Sequence, residues 1–338
     1  MKPLTVGSLV TEPGSKSKTM LGSVGLPSGL SAGIPCMVAH GVEDGPTLVV
    51  SGATHGNEIA GTGAIIETMR ALDAKRLRGS VIAIPVANPL ALDQGSYVTP
   101  QDGRNMASRI YWGANPRGTM TDRLGAILSP VYQRADTYID IHGNHEPAAP
   151  MSMLFLSCAR DADVRAKTIK LGEAFGVTPV DMSDPVAHPD WVGSADQYPV
   201  PVAISQGIPA LMVELVTSHT VLDRHRGRKG VMNVMKDLGM IEGPREAQEP
   251  PALPGRYKYW GSLATSAAGL AWPRVAPGTL IAKGAIVAEI TDLFGDVLET
   301  VTSPGDGFLW SINGALYGDR THAIPEGSDL GFFAEKVS

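Results

Sequence analysis

The sequence predicts an α/β protein with a mostly parallel mixed sheet flanked by helices, followed by a small all-β domain. Before residue 242, short apolar runs rich in β-branched residues alternate with longer segments of helical period, which is the pattern of a largely parallel sheet. After a cluster of Pro, Glu and Gly at 242–254, the helical period disappears and short alternating runs separated by turns replace it. We therefore predict one domain over residues 1–248 and a second over residues 249–338.

Composition indicates an ordinary globular protein. The chain has 338 residues, of which 43% are hydrophobic and 18% charged, and this length is enough for two cores. The net charge of -6 argues against a nucleic-acid partner and against a basic membrane-binding surface. No apolar run approaches the ~20 residues of a membrane span. Cys36 and Cys158 show no motif spacing and the start is not signal-like, so we expect a cytoplasmic protein without a disulfide framework.

The first 46 residues are rich in Gly, Ser and Pro and predict short strands. Residues 34–39 are expected to form an edge strand, and the Glu-Asp-Gly-Pro cluster at 43–46 is expected to form a turn. A buried strand over 48–50 follows, and then a helix that ends near Leu72.

The rest of the chain continues the same alternation and then changes to strands alone. Further strands of the first domain are predicted at 80–86, 138–142, 151–157 and 208–215, and helices at 121–135, 163–175, 202–206 and 230–238. Strands of the second domain are predicted at 279–281, 286–290, 297–301 and 307–310. A long irregular stretch at 90–119 contains several aromatic residues and arginines, which favours a functional loop.

Four side chains that could bind a metal ion or transfer a proton lie where predicted strands of the first domain end. His55 and Glu58 lie between the first buried strand and the helix after it, His142 ends a strand, and Glu214 lies near the end of another. Because the carboxyl ends of neighbouring parallel strands meet along one crevice, we expect these side chains to converge. Imidazole and carboxylate groups both bind zinc, and a catalytic zinc usually keeps three protein ligands and a water. We predict one zinc per chain, bound by His55, Glu58 and His142.

Each of these residues also has a purely structural explanation. His55 and Glu58 would then cap the turn and balance the helix dipole, and His142 would be a buried histidine with its hydrogen bonds satisfied. Asp140, two residues earlier on the same strand face, fits an outer partner that orients the imidazole of His142. Glu214 either pairs with an arginine such as Arg224 or acts as a general base beside a metal-activated water.

Five segments carry a resemblance to one known family. They are Gly52-Ala53-Thr54-His55-Gly56-Asn57-Glu58, Ile84-Pro85-Val86-Ala87-Asn88-Pro89, Asp102-Gly103-Arg104-Asn105-Met106, Asp140-Ile141-His142 and Val213-Glu214-Leu215. With these motifs the chain resembles the succinylglutamate desuccinylase/aspartoacylase family, relatives of the zinc carboxypeptidases, and it is most similar to the branch of N-acetyl-diaminobutyrate deacetylases. The C-terminal run resembles the family's barrel-sandwich domain.

The resemblance implies a zinc-carboxypeptidase-like fold, a zinc held by the three predicted ligands, and Glu214 as general acid/base. It also implies hydrolysis of an amide bond in a small N-acylated amino acid or related compound, and we expect a homo-oligomer, dimer or tetramer. The alternatives are a carboxypeptidase-like peptide hydrolase and a catalytically silent relative that binds a small molecule. A lipoyl or biotinyl carrier domain needs a lysine at its hairpin tip, and the nearest tip here, at 293–296, has none. The second domain is therefore expected to be a lid or an oligomer contact.

The substrate-facing positions depart from the family's pattern. Relatives place an arginine a few residues after the Asn-Pro pair, and Tyr97 falls at that place here. Arg109 is the best match to the family's carboxylate-binding arginine, in a run one residue longer than in relatives, and Arg104 is the other candidate. We predict that Tyr97, Arg104, Asn105 and Arg109 bind substrate.

Overall fold

The computed structural model describes residues 1–107, 114–143, 153–156, 161–182, 198–215, 221–312 and 321–337, and for 153–156 and 221–222 the backbone alone. The strands are β1 (Leu4–Val6), β2 (Leu9–Thr11), β3 (Ser15–Gly25), β4 (Ser31–His40), β5 (Glu43–Gly52), β6 (Arg78–Ile84), β7 (Thr137–Gly143), β8 (Met153–Leu156), β9 (Thr178–Asp181), β10 (Ala210–Leu215), β11 (Arg256–Ala264), β12 (Gly269–Pro273), β13 (Ile286–Thr291), β14 (Val297–Thr302), β15 (Gly307–Ile312), β16 (His322–Ile324) and β17 (Asp329–Val337). The helices are α1 (Ala60–Ala71), α2 (Pro89–Gln94), α3 (Met120–Tyr132), α4 (Ala162–Phe175), α5 (Pro199–Ser205) and α6 (Val221–Asp237).

A mixed sheet of 11 described strands forms the centre of the molecule, in the order β15-β17-β11-β9-β8-β10-β7-β5-β6-β4-β3. Its middle, β10-β7-β5-β6, is entirely parallel. The predicted α/β fold with a mixed sheet and flanking helices is therefore confirmed. The parallel arrangement brings the carboxyl ends of β5, β7 and β10 side by side, which is the position predicted for the site.

Both faces of the parallel strands are covered, which explains why their sequences are apolar throughout. In β5, Leu48 and Val50 pack into a core with residues of α1, α4 and α6. Val49 faces the other way, into a second core with residues of α2, α3 and α5. The helices thus form one layer on each side of the sheet and hold the strand ends rigidly.

Within its described residues, the C-terminal region contains strands and no helix, as predicted. Strands β14-β13-β12-β16 form a four-stranded sheet, which packs with residues of β11, β15 and β17 around one apolar core. Strands β11, β17 and β15 instead join the large sheet, because Tyr257 and Lys258 of β11 pair with Val180 and Asp181 of β9. The division of the chain at residue 248 remains a prediction.

Three predictions near the N-terminus and in the β region were wrong, the first of them only in the place it gave a strand. Residues 34–39 lie in β4, which pairs with β3 on one side and β6 on the other, so they do not form an edge strand. The cluster at 43–46 begins β5, where an irregular register between Glu43 and Thr47 accommodates it without a turn. Residues 279–281 contribute an isolated bridge from Ile281 rather than a strand.

Helix α6 begins at Val221, nine residues earlier than the predicted start at 230. Its first half is charged and contains Gly227 and Gly230, which are poor helix formers. Both glycines lie at helix contacts, since an added Cβ would come within 2.7 Å of Ala64 at Gly227 and within 2.4 Å of the Phe175 ring at Gly230. Packing against α1 and α4 therefore outweighs the weak local propensity. None of the helices in the described part of the chain is long and apolar enough to cross a membrane.

Candidate metal centre and active site

The turn after β5 directs His55 and Glu58 toward the end of the sheet. Ala53 adopts a φ of 47°, which is unusual for a residue with a Cβ, and the backbone N–H groups of Ala87 and Asn88 hold the turn through the carbonyls of Gly52 and Ala53, at 2.8 and 3.0 Å. Gly56 faces α2 so closely that a Cβ would lie 1.9 Å from the carbonyl carbon of Ala91. The glycine of this motif is therefore required by a backbone contact.

His55, Glu58 and His142 come together at this position, as predicted. Nδ1 of His55 lies 2.8 Å from Oε1 of Glu58, Nδ1 of His142 lies 3.0 Å from Oε2 of Glu58, and the two Nδ1 atoms are 3.3 Å apart. All three side chains are buried, and their ligand atoms lie within the span of a single metal site. The backbone N–H of Gly143 also donates to Oε2 of Glu58, at 3.1 Å.

The far nitrogen of each imidazole contacts an acceptor. Nε2 of His142 lies 2.9 Å from Oδ2 of Asp140, and Nε2 of His55 lies 2.9 Å from Oδ1 of Asn105. The orientation of the Asn105 amide follows from its network, because the same oxygen accepts from the backbone N–H of Ala107 at 2.8 Å. Both rings therefore donate from Nε2, and both Nδ1 atoms present a lone pair when the rings are neutral.

This arrangement fits a bound cation. When both rings are neutral, the Nδ1 lone pairs of His55 and His142 and the two carboxylate oxygens of Glu58 face one another at 2.8–3.3 Å. No proton then lies between these four atoms. Burial lowers the pKa of His142, but the Asp140 and Glu58 carboxylates outweigh it and hold that pKa well above the usual value. Burial raises the pKa of Glu58, but the adjacent His55 and His142 lower it to about 2. The cluster attracts positive charge, and its two nitrogens and one carboxylate are the ligand types of a catalytic zinc.

Asp140 is itself held in place by hydroxyl groups. The Ser51 hydroxyl donates to Oδ1 of Asp140 at 2.6 Å and lies 2.8 Å from the hydroxyl of Tyr138. Thr54 contacts the same oxygen at 3.5 Å. These hydroxyl partners were not predicted from the sequence, although Ser51 and Thr54 are small polar residues at the end of an apolar strand.

Glu214 lies next to the cluster on the neighbouring strand, in register with His142. Burial, and after it the negative charge of Glu58, raise the pKa of Glu214 to about 8, although His142 lowers it. Arg224, the alternative partner, forms an ion pair with Glu67 of α1 at 2.5 Å instead. Glu214 is therefore placed beside the metal-binding group as a carboxyl that can hold or release a proton near neutral pH.

The four residues predicted to bind substrate do not all have a described position at the metal-binding group. The ring of Tyr97 stacks on His55, with centroids 3.7 Å apart and planes at 28°, and the Asn105 amide donates to its hydroxyl at 3.4 Å. Burial raises the pKa of the Tyr97 phenol above its usual range, so the hydroxyl keeps its proton. Arg104 is exposed, and its backbone bridges to Thr99. Arg109 lies outside the described residues.

Comparison with solved structures supports the predicted zinc-carboxypeptidase-like fold. The crystal structure of succinylglutamate desuccinylase/aspartoacylase from Rhodobacter sphaeroides superposes with a TM-score of 0.79 at 24% identity, covering 95% of this chain and 96% of that one. The product-bound ectoine utilization protein EutE (DoeB) from Ruegeria pomeroyi gives a TM-score of 0.79 at 20% identity, covering 99% and 98%. At these identities the likeness shows the fold.

The sequence match is more specific. Residues 44–184 match the succinylglutamate desuccinylase/aspartoacylase catalytic domain, so the resemblance predicted from the motifs is confirmed. The N-alpha-acetyl-L-2,4-diaminobutyric acid deacetylase of Halomonas elongata is 23% identical over 255 residues, covering 74% of this chain and 72% of that protein. Both names describe enzymes that remove an acyl group.

Proposed function

We propose that this protein is a zinc-dependent hydrolase that cleaves the amide bond of a small N-acylated amino acid or related compound. The observation that carries the proposal is the buried convergence of His55, Glu58 and His142, with Glu214 on the adjacent strand. The matched catalytic domain and the deacetylase from Halomonas elongata support the choice of an acyl amide as substrate.

The residues of this site divide the work of hydrolysis. His55, Glu58 and His142 would hold the zinc ion, which would supply Lewis acidity to lower the pKa of a water and polarise a carbonyl. Glu214 takes a proton from the attacking water and delivers it to the amide nitrogen as the C–N bond breaks. Without a metal, burial and Glu58 raise its pKa to about 8. A bound cation would lower that pKa, so Glu214 could accept the proton from water and then return it near neutral pH. Asp140 and Asn105 keep the Nδ1 atoms of the two imidazoles unprotonated and directed inward.

Substrate binding is assigned to the loop that follows α2. Tyr97 stacks on His55 and Asn105 contacts its Nε2, so both residues lie beside the metal-binding group. Arg104, or Arg109 further along the loop, holds a substrate carboxylate through two parallel hydrogen bonds, because a guanidinium matches that geometry.

A cytoplasmic homo-oligomer, dimer or tetramer, is part of the proposal, with residues 249–338 as a lid or an oligomer contact. Leu293 and Phe294 at the β13–β14 tip are 83% and 94% exposed, and covering such apolar side chains between copies would stabilise an assembly. Light scattering on purified protein measures the mass, and a monomer at micromolar concentration would contradict the oligomer.

The function is tested with protein purified without chelator. Metal analysis is expected to give about one zinc per chain, and His142→Ala is expected to lose it. A substrate panel then compares N-acetyl and N-succinyl amino acids, N-acetyl-diamino acids and short peptides with free C-termini. Hydrolysis of the N-acyl compounds supports the proposal, hydrolysis of the peptides alone favours the carboxypeptidase-like alternative, and zinc binding without hydrolysis favours the silent relative.

A further inference from the structure

The two imidazoles of the metal-binding group are supported in different ways. His142 lies within β7, and its outer partner Asp140 is a carboxylate on the same strand. His55 lies after the end of β5, in a turn, and its outer partner Asn105 is an uncharged amide from a separate loop. An amide accepts a hydrogen bond more weakly than a carboxylate does. His55 therefore depends more on additional contacts for its orientation.

Tyr97 provides such a contact on the face of the ring. Its ring lies 3.7 Å from the His55 ring, centroid to centroid, with 28° between the planes. The two rings are in van der Waals contact, so a turn of the imidazole about its ring torsion would bring its edge against Tyr97. Asn105 links the pair, since its oxygen lies 2.9 Å from Nε2 of His55 and its amide N–H donates to the Tyr97 hydroxyl at 3.4 Å.

The loop that carries Tyr97 is hydrogen-bonded to the His55 turn itself. The backbone N–H of Gly56 donates to the carbonyl of Ser96 at 2.8 Å, which joins the residue after His55 to the residue before Tyr97. The amide of Asn88 donates to the hydroxyl of Thr99 at 3.0 Å, and the backbone N–H of Thr99 donates to the carbonyl of Arg104 at 2.9 Å. The stack is therefore part of a tightly connected local structure.

We propose that Tyr97 is a positioning residue for the metal centre, whose ring fixes the plane of the His55 imidazole and so keeps Nδ1 of His55 directed at Glu58 and His142. The proposal rests on the metal site of the proposed function. It assigns the effect to the aromatic ring, while the hydroxyl remains available for a role toward substrate. Partners that orient a ligand typically change metal affinity by about 10–100-fold when they are removed.

Metal binding in the absence of substrate tests this assignment. Zinc affinity is measured by competition with a chromophoric chelator, and ligand geometry by the visible spectrum of the cobalt(II) form. Tyr97→Leu is expected to weaken zinc binding about tenfold or more and to shift the cobalt bands. Tyr97→Phe keeps the ring and is the matched control, with affinity and spectrum expected to match the wild type. Circular dichroism checks the fold, and Tyr97→Met replaces the Leu variant if that variant does not fold.

Two results would overturn the proposal: wild-type affinity and spectrum in the variant without the ring, or an equal loss in Tyr97→Phe, which would assign the effect to the hydroxyl. Failure of the proposed function gives a different result. Wild-type protein that binds no zinc would refute the metal site itself. Wild-type protein that binds zinc but cleaves no amide would refute the hydrolase and leave the role of Tyr97 intact.

Discussion

At the scale of single residues, the metal centre depends on the groups behind its ligands as much as on the ligands. Asp140 contacts Nε2 of His142 at 2.9 Å and accepts from Ser51 at 2.6 Å, so its carboxylate is fixed on two sides. A fixed negative charge at Nε2 makes Nδ1 of the same ring a stronger ligand. The same carboxylate keeps the proton of the neutral His142 imidazole on Nε2.

Asp140→Asn is therefore expected to weaken zinc binding by about 10–100-fold while the ligands remain in place. Equilibrium competition with a chelator measures the affinity, and circular dichroism confirms that the fold is kept. Asp136→Asn is the matched control, because Asp136 precedes β7 and contacts the backbone N–H of Thr47, away from the metal-binding group. Equal affinity in wild type and Asp140→Asn would contradict the role of Asp140.

Glu214 predicts a pH-dependent stability of the zinc-free protein. Its folded pKa is raised from 4.5 to about 8, so the folded state holds this proton more tightly than the unfolded chain does. The associated stability is complete below about pH 4.5 and is lost as the pH rises toward 8. The Gln side chain of the Glu214→Gln variant does not titrate, so the variant does not lose stability in this way as the pH rises. In urea unfolding of chelator-treated protein, the variant is expected to gain on the wild type by about 1 kcal/mol or more between pH 5 and pH 8. A constant difference across that range would argue against the shifted pKa.

The sequence alone indicated the ligands but not all of their supports. His55, Glu58 and His142 were predictable because their residue types and strand-end positions are typical of metal sites. Asp140 was predictable because alternate residues of a strand share a face. The contacts of Tyr97 and Asn105 with His55 could not be predicted, because they depend on the path of a loop that has no periodic pattern.

At the scale of elements, α6 shows how packing replaces local propensity. Gly230→Ala would raise helix propensity, but its Cβ would come within 2.4 Å of the Phe175 ring of α4. We expect the variant to lose about 1–3 kcal/mol of unfolding free energy, as overpacked cores do. Urea denaturation measures this, with Arg228→Ala on the less buried side of α6 as the control. A more stable Gly230→Ala variant would show that propensity dominates and that the helices can separate.

This example also explains which elements could be predicted. The parallel strands were identified because burial on both faces makes their sequences continuously apolar. The start of α6 was missed because its first turns are charged and its glycines act only through contacts with other helices. The strand at 34–39 was identified, but its place inside the sheet was not, since pairing partners leave no local signature.

At the scale of the whole molecule, the two predicted domains share a sheet. Strand β11 continues the large sheet beyond β9, and Val180 and Met182 pack with Tyr257, Tyr259 and Trp310 in one apolar cluster. A chain ending at residue 248 would expose both the strand edge and this apolar surface. We expect that fragment to aggregate or to unfold at lower denaturant concentration than the full chain.

Size-exclusion chromatography and urea denaturation of residues 1–248 test the shared sheet. A soluble fragment with full-length stability would contradict it and support two independent domains. The sequence could not reveal this connection, because it consists of two residue pairs between strands far apart in the chain.

The central claim is that His55, Glu58 and His142 bind zinc while Glu214 transfers the proton. Zinc content and kcat of wild type and Glu214→Gln, measured on the best N-acyl substrate, test it most directly. The Gln variant keeps the shape of the side chain but accepts no proton. We expect both proteins to contain about one zinc per chain and kcat to fall by roughly 10²–10⁴-fold in the variant. Loss of zinc from the variant would make Glu214 a ligand, and full activity with zinc retained would place the base elsewhere; either result would contradict the account.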